Sequence, residues 1–199
     1  MHQSLTLDLW RHGPVSVPGR LYGATDVAPC ELGVAALAEA IVARRPSGIL
    51  CSPLARALLP AQQAAMSLKV PLQISPALSE WHFGQWEGVR LDDPAMAEPL
   101  AALWQTPHLL APPGGESLVQ FRQRIRNWLA TLEVGTQQHW AVVCHAGVIR
   151  ALIGEVLQQP DRRFHQLLRL SIAYGSRTTL SIGHWQQQPV LQLEQINHL

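Results

Sequence analysis

The sequence is poor in cysteine, in charge imbalance and in uninterrupted apolar chain, and each shortage removes a class of protein. Its 199 residues hold three cysteines, Cys30, Cys51 and Cys144, an odd number at wide spacing that fits neither a disulfide framework nor a zinc ligand set. A reducing compartment, the cytoplasm, is expected. Fifteen Lys and Arg against fourteen Asp and Glu leave a net charge of +1, too even for a nucleic-acid binder or a protein held on an acidic membrane. Any positive site has to be local. No stretch approaches the length of apolar residues that a membrane span requires, and the start "MHQSLTLDLWRHG" has neither the basic region nor the apolar core of an export signal. A chain of this size buries about 70% of the surface its unfolded form exposes, so it needs neither a disulfide nor a metal to fold. Without a linker, an internal repeat or a composition shift, residues 1–199 read as a single domain.

What is present is an alternation of short apolar strands with amphipathic helices. Residues 5–10 alternate Leu5, Leu7 and Leu9 with other side chains, predicting a strand that stops at Arg11 and His12. Residues 31–45 read as an Ala-rich helix stopped by "PSG", and "GILCS" as a buried strand. Ser52 as N-cap and Pro53 as first helical residue start the next helix, which Pro60 should kink or end. A short strand is expected at 70–75. Leu118, Phe121, Ile125, Trp128, Leu129 and Leu132 make one stripe of a helix over 117–133, with Ser117 and Gln120 as its capping box. "HWAVVCH" is a further strand ending in a histidine, followed by a helix over 147–157. "TTLSIGHW" and "PVLQLEQI" are strands joined by a short loop. The pattern predicts a three-layer α/β/α sandwich with a mostly parallel central sheet.

His12 and His145 both follow apolar strands and precede glycine-containing turns. In open α/β sheets the carboxyl ends of strands line the ligand crevice, so distant residues can meet there. Arg11 precedes the first histidine and Arg56 lies early in the helix after a third strand. Two guanidiniums and two imidazoles in one pocket repel unless an anion joins them. Phosphate suits them: arginine grips it through a planar fork, and backbone N–H groups near Gly13, Ala146 and Gly147 add donors. A neutral imidazole among them is a nucleophile toward phosphorus. No metal or other cofactor is called for.

The chain resembles the histidine phosphatase superfamily, also called phosphoglycerate mutase-like. The matching segments are "RHG" (11–13), "SPLARA" (52–57), "LSEWHFGQWEG" (78–88), "PPGGES" (112–117) and "CHAGVIRAL" (144–152), in the family's order. The resemblance implies a phosphoglycerate mutase-like fold and a phosphomonoesterase working through phosphohistidine. It makes His12 the nucleophile, Arg11, Arg56 and His145 the clamp on the phosphoryl oxygens, and Glu80 the acid that protonates the leaving oxygen and then activates water. Glu87 is the alternative acid.

The stretch "GRLYGATDVAP" looks most like the α-ribazole phosphatase subgroup, which acts late in cobalamin biosynthesis, with Arg20 and Thr25 as candidate substrate contacts. Trp81 and Trp104 are placed to flank the pocket, where a ring could stack on a flat base. The implied partner is a small phosphomonoester, with a homodimer as the default assembly of a soluble enzyme. A broad sugar or organic-acid phosphatase, a mutase-like enzyme, and a catalytically idle phosphate-binding homologue are the alternatives. The last should have lost one of His12, Arg56, Glu80 or His145, and all four are present.

Overall fold

Strand β1 (Ser4–Arg11) divides its side chains between two cores, Leu5, Leu7 and Leu9 in one and Trp10 in the other, because successive residues of a strand point to opposite faces. The computed structural model describes residues 4–135, 138–185 and 188–199. Its further elements are α1 (Glu31–Arg44), β2 (Gly48–Cys51), α2 (Ala55–Leu68), β3 (Leu72–Ile74) and α3 (Ala97–Gln105), then α4 (Leu118–Ala130), β4 (Gln138–Cys144) and α5 (Ala146–Val156). The chain closes with α6 (Phe164–Leu167), β5 (Arg177–Trp185) and β6 (Gln188–His198).

The described residues form a six-stranded sheet in the order β3-β2-β4-β1-β5-β6. The pairs β3/β2, β2/β4 and β4/β1 are parallel, and β1/β5 and β5/β6 are antiparallel. On one face α1 and α2 pack Leu37, Ile41, Ala57, Ala61 and Ala64 against Ile49, Ala141 and Val143. On the other, α4 and α5 pack Phe121, Ile125, Val148 and Leu152 against Leu50, Val142 and Leu180. This is the mixed α/β sandwich that the alternation of elements predicts.

Local chemistry accounts for most boundaries. Ser117 Oγ accepts from Gln120 N–H while the Gln120 side chain accepts from Ser117 N–H, so the capping box starts α4 as expected. The start of α2 differs from expectation. The helix begins at Ala55, and Asp26 Oδ1, from a loop far back in the chain, accepts the Ala55 N–H at 2.7 Å. Ser52 reaches only Leu54 N–H, at 3.3 Å, and its hydroxyl is shared with His145. Nor does Pro60 end α2, which runs on to Leu68. One absent donor is outweighed by the apolar face that Pro60, Ala61 and Ala64 bury against α1. No helix among the described residues is long and apolar enough to cross a membrane.

Candidate active site

The site begins where β1 and β4 end. The two strands are parallel neighbours with Arg11 opposite Cys144, so the residues that follow, His12 and His145, emerge side by side. His12 N–H donates to Cys144 O at 3.0 Å, and the two imidazoles stand 5.1 Å apart, edge to face. Strand β2 flanks β4 and delivers Ser52 to the same end, where its Oγ lies 2.8 Å from His145 Nε2.

His12 is 6% exposed. Its Nδ1 lies 2.7 Å from the Gly13 carbonyl, and a carbonyl only accepts. Nδ1 therefore carries the proton and Nε2 the lone pair. Burial, followed by the charges of Arg56 and Arg11, pulls the ring's pKa down to about 3, so the lone pair is available at neutral pH. His145 is wholly buried, and burial together with His12 and the nearby arginines holds it neutral well below the ordinary histidine value. Ser52 Oγ accepts from Leu54 N–H, which turns its own hydroxyl toward His145 Nε2. That leaves His145 Nδ1 as a donor, and it is buried with no protein partner.

Two arginines complete the positive side. Arg56 is 1% exposed, with Nη1 donating to Thr25 O and Nη2 to Gly23 O, both at 2.7 Å. Arg11 donates through Nη1 to Ile172 O and stacks its guanidinium 3.7 Å above the Tyr174 ring, and its buried Nε has no protein partner. Burial draws the pKa of both below the ordinary arginine value, against the pull of Glu80. Uncompensated buried donors of this kind are costly, and a bound oxyanion would satisfy them.

Glu80 sits at the first turn of α5. Its Oε2 accepts from Gly147 N–H at 3.0 Å and its Oε1 from Trp81 N–H at 2.9 Å. A Cβ at position 147 would come within 2.2 Å of Glu80 Oε1, so this close approach requires glycine. Glu87, the rival acid, is committed elsewhere. It accepts the N–H groups of Gly23, Ala24, Thr25 and Phe83 at 2.8–3.1 Å. Burial works against its charge, but these bonds hold the carboxyl below the usual carboxylate value. Glu87 thus shapes the 23–25 loop whose carbonyls hold Arg56.

The remaining sequence-predicted residues fall into place unevenly. Gly13 supplies the carbonyl for His12, Thr25 acts through its backbone, and Ala146 opens α5. Trp81 is 2% exposed, stacked on Phe121, and donates Nε1–H to Glu116 O. Its link to the site is the amide that holds Glu80. Arg20 is exposed and donates to Gly88 O beside a separate hollow lined by Val17, Pro18, Arg90 and Asp92. Ser52, Tyr174 and the loop-organising role of Glu87 were not visible in the sequence, because each depends on a partner dozens of residues away. Among the described residues, no group of three or more His, Cys, Asp or Glu is arranged to hold a metal ion.

A family model of the histidine phosphatase superfamily (branch 1) matches residues 7–194. The chain belongs to that superfamily. It is 32% identical over 197 residues to a glucosyl-3-phosphoglycerate phosphatase of Mycobacterium tuberculosis, covering 90% of this chain and 86% of the relative. An adenosylcobalamin/α-ribazole phosphatase of Escherichia coli is 34% identical over 118 residues, 56% of this chain and 57% of the relative. The structure of a mycobacterial glucosyl-3-phosphoglycerate phosphatase superposes with a TM-score of 0.84 at 28% identity, covering 99% of this chain and 100% of that one. This histidine phosphatase is accordingly a hydrolase of phosphomonoesters.

Proposed function

We propose that the protein hydrolyses its ester in two displacements at His12. The neutral Nε2 attacks phosphorus and forms the N–P bond as the ester P–O bond breaks. The Glu80 carboxyl gives its proton to the departing oxygen, so the alcohol leaves neutral. The Glu80 carboxylate then takes a proton from water, whose oxygen attacks phosphorus. The N–P bond breaks, inorganic phosphate forms, and His12 and the protonated Glu80 are restored. Arg11, Arg56 and His145 Nδ1–H hold the phosphoryl oxygens throughout, and removal of one such donor should cost about 3–4 kcal/mol of transition-state stabilisation. The observation that carries this reading is the His12 Nδ1 contact to Gly13 O, which aims a lone pair into a ring of buried cations.

For the substrate, similarity along nearly the whole chain to a glucosyl-3-phosphoglycerate phosphatase supports a phosphorylated sugar or organic acid. A second reading, α-ribazole 5′-phosphate, is supported by the 118-residue match to the E. coli enzyme. The mechanism is tested with p-nitrophenyl phosphate, whose leaving group departs without a proton. Glu80→Gln should give a burst of one nitrophenolate per site and accumulate acid-labile, base-stable phosphate on His12. A variant that turns over slowly with neither burst nor trapped phosphate would remove the two-step mechanism.

A further inference from the structure

A hollow of about 470 Å³ is lined by Trp104 and Gln105 of α3, Arg150 of α5, and His165, Leu168 and Arg169 at α6. Each wall is one contact from the site described above. Arg150 lies three residues after Gly147, whose amide holds Glu80, and residues so spaced are neighbours on one helix face. Trp104 packs edge-on to Trp81, the residue after Glu80. Arg150 Nε and Nη2 donate to Leu170 O, two residues before the Ile172 carbonyl that takes Arg11. The hollow therefore opens on the side of Glu80 toward which an ester's alcohol half would leave.

Its lining is basic and contains no acid. Arg150, His165 and Arg169 make no ion pair among the described residues, and the nearby carboxylates of Glu155 and Asp161 are occupied by Arg122 and Arg126. Arg150 keeps its Nη1 free of protein partners. His165 Nδ1 donates to Arg162 O, so its Nε2 is also unengaged. Burial draws the Arg150 pKa down and the charge of Glu80 supports it, so the guanidinium stays charged. Cations without counter-charges beside an aromatic face suit a ligand that brings an anion on a carbon skeleton.

We propose that this hollow is the subsite for the alcohol half of the substrate and selects phosphomonoesters whose alcohol half bears a second anionic group, carboxylate or phosphate. The proposal rests on the two-step reading, which puts the leaving oxygen at Glu80. A neutral alcohol half, a nucleoside included, would leave the two guanidiniums uncompensated. The test measures kcat/KM for two substrate pairs: 3-phosphoglycerate against glycerol 3-phosphate, and fructose 1,6-bisphosphate against fructose 6-phosphate. The member with the second anion should be preferred by about tenfold or more, the size expected of a charge-assisted hydrogen bond, and the pair that shows it identifies carboxylate or phosphate.

Arg169→Ala, at an exposed position that does not endanger folding, should lower that preference by about tenfold, and Arg150→Gln should do the same. Equal kcat/KM within both pairs in the native enzyme overturns the subsite, as does a preference that survives both substitutions. Failure of the underlying reaction would look different, with no phosphate trapped on His12 from any of the four esters.

Discussion

The two halves of the site are built from different materials. At the phosphate end the side chains are held by main chain: His12 by the Gly13 carbonyl, Arg56 by the carbonyls of Gly23 and Thr25, and Glu80 by the amides of Trp81 and Gly147. On the alcohol side the hollow is walled by side chains of the short helices α3 and α6, most of them half-buried or exposed. Main-chain partners survive substitution and fix geometry, as phosphoryl transfer requires. Side-chain walls can be exchanged at little cost to the fold, as a change of substrate requires.

The contrast is broken most severely at the nucleophile. His12→Ala should lower phosphate release from any ester by about 10⁴-fold or more, since the covalent route is lost with it, as assayed in excess EDTA. Next comes Gly147→Ala. The added carbon collides with Glu80, and displacing an acid by about 1 Å costs about 10²-fold. The loss should be largest for alkyl esters and smallest for p-nitrophenyl phosphate, whose leaving group needs no acid.

Glu87→Gln should be milder, about tenfold in kcat/KM. It keeps one acceptor oxygen for the 23–25 loop and loses the charge-assisted bonds, so Arg56 is less well held. Since Glu87 acts through Arg56, the kinetic loss should appear without any change in the phosphate trapped from p-nitrophenyl phosphate in the Glu80→Gln background. The pH dependence of stability is the subtlest expectation. Between pH 6.5 and about 3 the unfolded chain binds a proton at His12 that the folded chain refuses, so stability rises with pH across that window and falls on acidification from 6.5. Asp8 works lower. Burial alone would raise its carboxyl, but hydrogen bonds from His139, Thr179 and Arg44 bring it to about 2, so its contribution is in place above 3.8 and lost as pH falls through 2. His12→Asn should flatten the slope of Tm against pH between 6.5 and 4 and leave the steeper acid limb untouched.

The same division sets what could be read from the chain. Apolar runs ending in histidine announced β1 and β4 and so placed His12 and His145, because strand ends depend on neighbours in sequence. The start of α2 was misplaced because its cap, Asp26, lies 29 residues from Ala55. The hollow was invisible because Trp104, Arg150 and His165 come from separate elements and only the packing of α3 and α6 around α5 brings them together. Helices as short as α6 carry too few residues to show a period.

The hydrogen bond from His12 to Gly13 has a consequence for how the protein tolerates change. The acceptor that selects the ring's tautomer is the carbonyl of the very next residue, a group every amino acid possesses. The orientation of the nucleophile is thus written into the peptide itself, and drift in the surrounding side chains can weaken its environment without switching the nitrogen that reacts. A family built on such a bond can exchange its pocket walls from one ester to another while the reacting atom stays the same.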